Sequence, residues 1–464
     1  MAFQTIQYNS YYFLGIGGIG MSALARYFKA KGYYVAGYDR TPSQLTYELE
    51  REGINISYND VPSSIPEQCA IPSRTLVIRT PAVPEDTTIY LYFREAGFKI
   101  CKRSEVLGDL SNTGRSLCIA GTHGKTTTST MLAHLLYQSE IGCNAFLGGI
   151  SLNYNTNLLQ NPDTNYVVVE ADEYDRSFLR LNPYMAVVTA IDPDHLDIYH
   201  DREGFQAGFE DFMALVQPGG ILLIKKGIRH NAHLAKDVKQ YTYAVDDNTA
   251  DFFADNIIID KGQIHFDFHT PTESVQNLRL GVPAVFNIEN SVAAMAIAWL
   301  IGVTMHEIRS GISSYAGVYR RFNVLFDNGK TTYIDDYAHH PTEIANTIKA
   351  ARALYPDRQL VGIFQPHLYT RTRDFADGFA AELSKLDEAI LLPIYPAREE
   401  PIEGINSEMI LNRLTCEKKQ ICEKDELIDR IKDIDNAVII TIGAGDIDRL
   451  VPKIVTELRK HKNI

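Results

Sequence analysis

The sequence predicts an α/β protein of three blocks, each a mostly parallel sheet with helices packed on it. Three observations carry this. Apolar runs rich in Val and Ile alternate with helical patterns through most of the 464 residues, the order that parallel sheets produce. Two glycine loops, at 15–20 and 121–124, each join such a run to a helical pattern. Polar and charged clusters follow the ends of other runs, the edge at which open α/β sheets bind ligands. The chain is too long for one ordinary core, and blocks 1–107, 108–316 and 317–464 divide it into domains of usual size.

In the first block, Tyr11 to Leu14 reads as a buried strand and Met21 to Lys31 as a helix with Leu24 and Phe28 on one face. Tyr33 to Tyr38 and Thr75 to Arg79 read as strands, Gln44 to Glu52 and Thr87 to Ala96 as helices. The second block opens with the apolar segment Leu117 to Ala120, the second glycine loop and a helical pattern from Ser129 to Gln138. Tyr166 to Val169, Met185 to Ala190 and Ile221 to Ile224 are near-continuous apolar runs, as in strands buried on both faces. Phe252 to Ile259 and Gln263 to Phe268, joined at Asp260-Lys261-Gly262, read as a β-hairpin and imply a mixed sheet. Asn287 to Leu300 is a long helix that turns Val292, Met295, Ala296 and Trp299 toward a core. In the third block, strands are expected at Tyr333 to Ile334, Leu360 to Phe364, Ala389 to Leu392 and Ala437 to Ile442. An amphipathic helix is expected from Ala376 to Leu386.

Composition narrows the class. Apolar residues at 45% and charged residues at 22% are those of a soluble globular protein. A net charge of −13 disfavours general nucleic-acid binding. The six cysteines (69, 101, 118, 143, 416, 422) include no C-x-x-C pair and no zinc-site spacing, so buried free thiols are expected. Met1 to Asn9 lacks a basic n-region and a long apolar h-region. No apolar stretch approaches the ~20 residues of a membrane span, so no membrane partner and a cytoplasmic location are expected.

The run Gly121-Thr122-His123-Gly124-Lys125-Thr126-Thr127 follows a strand and leads into a helix, the context of a phosphate-binding loop. Glycines let backbone N–H groups approach phosphate oxygens, Lys125 neutralises β/γ charge, and the hydroxyl of Thr126 can ligate Mg²⁺. The match to G-x-x-x-x-G-K-[ST] is imperfect, since Ile119 stands where the first glycine belongs. Gly15-Ile16-Gly17-Gly18-Ile19-Gly20, with Asp39 at the end of the next strand, satisfies the G-x-G-x-x-G requirement for close pyrophosphate approach. That loop demands a diphosphate and does not distinguish a dinucleotide from a nucleotide sugar.

Glu170-Ala171-Asp172-Glu173 ends one apolar strand, and Asp194-His195-Leu196-Asp197 follows another, so carboxylates and His195 should reach the same crevice. Oxygen ligands beside phosphates suit Mg²⁺; His195 leaves room for Mn²⁺. Asn287 and Asn290 share a helix face and read either as a cap pair or as amides for an adenine edge. The third block carries Arg320-Arg321, Asp335-Asp336-Tyr337-Ala338-His339-His340-Pro341 and Gln365-Pro366-His367-Leu368-Tyr369-Thr370-Arg371. The latter two each follow a strand and lead into a helix. Arginine and histidine there suit carboxylate or phosphoryl groups.

Taken together, Gly-Ile-Gly-Gly-Ile-Gly-Met-Ser at 15–22, Gly-Thr-His-Gly-Lys-Thr-Thr at 121–127, Glu-Ala-Asp-Glu at 170–173, Asp-His-Leu-Asp at 194–197, Asp-Asp-Tyr-Ala-His-His-Pro-Thr-Glu at 335–343 and Phe-Gln-Pro-His at 364–367 resemble the Mur ligases over essentially the whole chain. The resemblance implies a Rossmann-like N-terminal domain, a P-loop-type central ATPase domain with a mixed sheet and a Rossmann-like C-terminal domain. It implies ATP-dependent joining of L-alanine to the lactyl carboxylate of UDP-N-acetylmuramate through an acyl phosphate, in peptidoglycan biosynthesis. It implies that Gly15, Gly17, Gly18, Gly20, Met21, Ser22 and Asp39 hold the UDP-sugar, and that Gly121, Thr122, His123, Gly124, Lys125, Thr126 and Thr127 hold ATP with Asn287, Asn290, Arg321 and Asp336. Thr126, Glu170 and His195 are implied as metal ligands, and Tyr337, His339, His367 and Arg371 as the alanine pocket. Lys125, Glu170, His195, His339 and Arg371 form the implied catalytic set.

Leu368 stands where some members carry Arg, which places more of the carboxylate recognition on Arg371. No lysine occurs between His195 and Lys225, so the carbamoylated lysine of other branches has no counterpart. A monomer or weak homodimer is expected. The nearest rival is the branch that attaches a whole tripeptide to the same sugar nucleotide, which Glu173-Tyr174-Asp175 would suit. A nicotinamide-dependent dehydrogenase would account for 15–39 and leave Lys125 without a role. A non-catalytic nucleotide-binding module would leave the third block without one.

Overall fold

The computed structural model describes residues 8–193, 196–260, 262–397, 399–432 and 434–461. They fall into two compact units: residues up to 255 with 268–276 and 290–315, and residues 256–267 with 277–289 and 316 onward. The first expected block and most of the second therefore share one unit, with 256–267, 277–289 and 316 of the second block in the other, and helix Arg103–Ser111 runs through position 107.

In the first unit, β1 (Ser10–Leu14), β2 (Tyr34–Tyr38), β3 (Asn55–Ser57), β4 (Thr75–Arg79) and β5 (Lys99–Lys102) form a parallel sheet in the order β3–β2–β1–β4–β5. Every residue of β1 is buried, which is why it reads as an unbroken apolar run rather than an alternating one. Tyr11 stacks on Phe28 of helix Ile19–Ala30 at 3.7 Å between ring centroids, and Leu24 is buried on the same helix. Strand order reverses between β1 and β4, where a ligand crevice opens.

The same unit holds β6 (Arg115–Ala120), β7 (Asn144–Ser151), β8 (Thr156–Leu159), β9 (Tyr166–Glu170), β10 (Met185–Val188), β11 (Ile221–Lys225) and β12 (Lys239–Val245). They run β12–β11–β10–β6–β9–β7–β8, with β7–β8 antiparallel. β13 (Phe252–Asp260), β14 (Gln263–His269) and β15 (Ser274–Arg279) supply the mixed edge predicted from the hairpin pattern, whose Lys261 lies outside the described residues. Because β6 lies between β9 and β10, the ends of all three arrive side by side. The helix after β6 spans Lys125–Tyr137, starting ahead of the apolar pattern because its first turn is Lys-Thr-Thr-Thr. Val292, Met295 and Ala296 are buried, whereas Trp299 is half-buried, edge-on to Phe252, and donates its indole N–H to Glu273 at 2.6 Å.

In the second unit, β16 (Asn323–Asp327), β17 (Thr332–Asp336), β18 (Gln359–Phe364), β19 (Glu388–Leu391), β20 (Lys418–Ile421) and β21 (Ala437–Ile442) run β16–β17–β21–β18–β19–β20, with β16 antiparallel. β17 and β18 flank β21, so the segments that follow them share one sheet edge. All six cysteines are buried and free, and burial pushes the Cys118 thiol up to about 12. Among the described residues, no helix is long and apolar enough to cross a membrane.

Candidate active site

The loop after β6 is shaped by its neighbours. Gly121 has φ +134°, and a Cβ there would stand 2.0 Å from Thr189 Oγ1, so a side chain is excluded by both backbone and space. The Thr122 N–H donates to Ala190 O at 3.1 Å, and the Asp192 N–H to Thr122 Oγ1 at 2.8 Å, fastening the loop to the end of β10. Gly124, at φ +81°, starts helix Lys125–Tyr137, and a Cβ on it would lie 2.5 Å from Asn290 Oδ1. Asn290 also accepts from Thr128 Oγ1 at 3.2 Å, so this amide braces the loop. His123 lies 3.7 Å from the Asp192 carboxylate, and Thr126 and Thr127 are buried.

Lys125 Nζ donates to Gly121 O at 2.7 Å and pairs with Glu173 at 2.8 Å. Burial alone would pull the ammonium's pKa down, but the charges of Glu173 and then Glu170 override it and hold the pKa above the ordinary lysine value. Glu173 is only 2% exposed, and its backbone carbonyl accepts from Tyr199 Oη at 2.7 Å. The sequence placed Glu173 in an acidic run at a strand end and did not single it out as the lysine's partner. Glu170 ends β9 with its carboxylate against Gly148, where a Cβ would stand 2.1 Å from Oε2. His195 lies outside the described residues.

The first glycine loop faces the same region. Gly15 N and Ile16 N donate to Tyr38 O at 2.8 and 3.1 Å. Asp39 accepts from Gly17 N at 2.8 Å and from Thr41 N at 3.2 Å, so its carboxylate fixes the loop's own backbone. Ser22 is buried, donating to Ile19 O at 2.8 Å and accepting from Asn157 at 2.9 Å. Met21 is buried beside it. A cavity of about 240 Å³ is lined by Gly18 and Gly20 of this loop together with Glu170 and Asp172. The two strand-end motifs thus open onto one space.

In the second unit, four residues from two strand ends gather. The rings of His339 and Tyr337 lie 5.4 Å apart and those of His339 and His367 6.4 Å apart; Arg371 reaches His367 Nδ1 at 3.3 Å. Glu343, which closes the 335–343 motif and was given no role by the sequence, lies 3.3 Å from His339 Nδ1 and accepts from the His339 N–H at 2.9 Å. Burial lowers the His339 pKa, Glu343 partly restores it, and Arg371 lowers it again. Arg321 lies 5.1 Å over the Tyr337 ring. Asn287 is buried and donates to Val282 O at 3.3 Å.

Asp336 is buried and spends both carboxylate oxygens on backbone, accepting from Phe322 N at 2.7 Å and Ala338 N at 2.8 Å. Burial raises its pKa from 3.8 to about 6, against the pull of Arg321. The folded state therefore holds this proton more tightly than the unfolded chain. The carboxyl's contribution to stability is greatest below pH 3.8 and declines as pH rises to about 6. Asp336→Asn replaces one acceptor by a donor facing an N–H, at a cost of about 1–3 kcal/mol. That cost should be larger at about pH 5 than at about pH 7.5 in paired urea titrations; a penalty independent of pH would show that Asp336 titrates normally.

Comparison with known proteins matches residues 10–115 to the Mur ligase family catalytic domain, 119–298 to the Mur ligase middle domain and 320–445 to the Mur ligase glutamate ligase domain. The chain is 53% identical over 97% of its length to UDP-N-acetylmuramate--L-alanine ligase of Phocaeicola vulgatus, covering 98% of that protein. It is 54% identical to the enzyme of the same name from Parabacteroides distasonis, with 95% of each covered. The crystal structure of UDP-N-acetylmuramate-alanine ligase from Thermotoga maritima matches 97% of this chain and 99% of that one, at 26% identity and a TM-score of 0.81. A murein peptide ligase from Psychrobacter arcticus shares the fold, with a TM-score of 0.69 at 23% identity, over 98% of this chain and 99% of that one.

Proposed function

The chain belongs to the Mur ligase family, and on that premise we propose that it joins L-alanine to the lactyl carboxylate of UDP-N-acetylmuramate, converting ATP to ADP and phosphate. The observation that carries this reading is the single cavity shared by the diphosphate-type loop, Gly18 to Gly20, and the acidic strand end, Glu170 to Asp172. Lys125 pairs with Glu173 of that same acidic run.

The chemistry follows from leaving groups. A carboxylate oxygen does not leave readily, so the lactyl carboxylate attacks the γ-phosphorus and ADP departs. The alanine amine then adds to the acyl carbon, and the tetrahedral intermediate collapses with loss of phosphate and a proton. In this reading Gly15 to Ser22 hold the UDP diphosphate, with Asp39 shaping the loop. Gly121 to Thr127 hold the ATP phosphates, and Lys125 meets the charge that moves between them. Tyr337, His339, His367 and Arg371 hold alanine. The three functional blocks are 1–107, 108–316 and 317–464. Two of its three substrates being nucleotides, the reaction belongs in the cytoplasm.

Glu170 and Thr126 are oxygen donors beside the phosphate loop, a set that fits Mg²⁺, and family resemblance adds His195. Bound there, the ion would neutralise charge on the phosphates. Glu170→Gln keeps the packing on Gly148 and removes the charge. It should raise the Mg²⁺ needed for half-maximal rate by at least the roughly tenfold that loss of even an outer ligand costs, while UDP-N-acetylmuramate affinity changes little. An unchanged Mg²⁺ titration curve would remove Glu170 from the metal site.

The test of the activity is phosphate release from ATP with UDP-N-acetylmuramate, comparing L-alanine with the stem tripeptide. Release with alanine and none with the tripeptide is expected. Release with the tripeptide alone would assign the chain to the tripeptide-adding branch.

A further inference from the structure

The cavity between the first glycine loop and Glu170 contains a charge problem. Two of its lining residues, Glu170 and Asp172, are carboxylates, and a diphosphate entering it brings further negative charge. Backbone N–H groups of the loop supply hydrogen bonds and only partial charge. Arg103 is the one cation lining the cavity among the described residues.

Its placement is specific. Arg103 begins helix Arg103–Ser111 directly after β5, and its guanidinium lies over the loop: a Cβ on Gly20 would stand 2.7 Å from Nη1. From there Nη2 reaches Asp172 at 3.2 Å, at the end of the acidic strand. Neither partner is deeply buried, with side-chain exposures of 21% for Arg103 and 38% for Asp172, so the pair can open without stranding a charge. The guanidinium is a planar fork suited to phosphate oxygens, and a single carboxylate contact leaves most of its donors available for exchange.

We propose that Arg103 is the cationic contact of the nucleotide-sugar diphosphate and that Asp172 holds it in the ligand-free enzyme. The sugar nucleotide exchanges the Asp172 carboxylate for its own phosphate oxygens. This rests on the ligase reading above, and extends it by assigning a residue outside the glycine motif and a competitor for it. The exchange also frees Asp172 two residues from Glu170, so occupancy of the diphosphate loop is felt at the acidic strand end.

Calorimetric titration of uridine, UDP and UDP-N-acetylmuramate into wild type, Arg103→Met, Arg103→Lys and Asp172→Asn tests it. Arg103→Met should weaken UDP and UDP-N-acetylmuramate by on the order of thirtyfold, the loss expected for one charged partner of a phosphate, and leave uridine unaffected. Arg103→Lys should recover part of the loss. Asp172→Asn should tighten UDP severalfold, because the competitor is gone. Equal UDP affinity in Arg103→Met and wild type, or equal weakening of uridine and UDP, overturns the phosphate contact. Unchanged or weaker UDP binding by Asp172→Asn overturns the competition. Should Arg103→Met fail to fold, Arg103→Lys and Asp172→Asn carry both arms. A wild-type enzyme that binds no UDP-N-acetylmuramate contradicts the ligase reading itself, a result distinct from either.

Discussion

Lys125→Ala is expected to lower alanine-dependent phosphate release by on the order of a thousandfold, the scale on which a positioned charge contributes to a transition state. The structure adds a second consequence. Lys125 pairs with Glu173, which is only 2% exposed, so removing the ammonium strands a carboxylate in the interior. Breaking a buried pair from one side costs about 3–5 kcal/mol. The single variant should therefore be both inactive and less stable, and inactivity alone would not identify a catalytic role. Lys125→Met combined with Glu173→Gln separates the two effects: it removes both charges, keeps the volume and should recover most of the urea midpoint. Turnover should stay at the level of the single variant. Recovery of turnover along with stability would reduce Lys125 to a structural role.

That pair also marks what was legible in the sequence. The glycine loop, the strand before it and the acidic run at 170–173 were readable because each is a local pattern: apolar continuity, glycine spacing, a polar break. The pairing of Lys125 with Glu173 was not, because it joins residues 48 apart through the adjacency of β6 and β9. Arg103 and Gly148 escaped for the same reason: each matters through a neighbour that topology supplies, Asp172 for Arg103 and Glu170 for Gly148.

Helix starts were misjudged where polar residues open the helix. Helix Tyr369–Leu383 begins with Tyr-Thr-Arg-Thr-Arg-Asp, which carries no apolar period, and Glu399 secures that end by accepting from the Thr370 N–H at 3.0 Å. Asp39 shows the converse. The fingerprint located it at the right strand end, yet its carboxylate serves the loop backbone, a use that spacing cannot distinguish from a ribose contact.

Arg371→Ala should raise the Michaelis constant for alanine by on the order of a hundredfold, with those for ATP and the sugar nucleotide little changed. Leu368 is held at φ +69°, with its N–H donating to Tyr395 O at 2.9 Å. That turn starts the helix so that Arg371 lies in its first turn and reaches back to His367. With leucine at 368, Arg371 is the arginine of this four-residue cluster that can hold a carboxylate. Arg371→Lys should recover only part of the affinity, since an ammonium lacks the planar fork.

The same variant has a second readout. Burial and the Arg371 charge both lower the pKa of His339, which favours the neutral ring that can take a proton from the alanine ammonium and so free the amine to attack. Removing Arg371 removes one of those influences, so the His339 pKa rises toward its ordinary value of 6.5. The sign is fixed: the acid limb of kcat/KM for alanine should move to higher pH in Arg371→Ala, because the ring becomes protonated sooner as pH falls. A pure loss of carboxylate binding would raise the Michaelis constant and leave the limb in place. A limb that stays put would therefore separate His339 from proton transfer while leaving Arg371 as the carboxylate's contact.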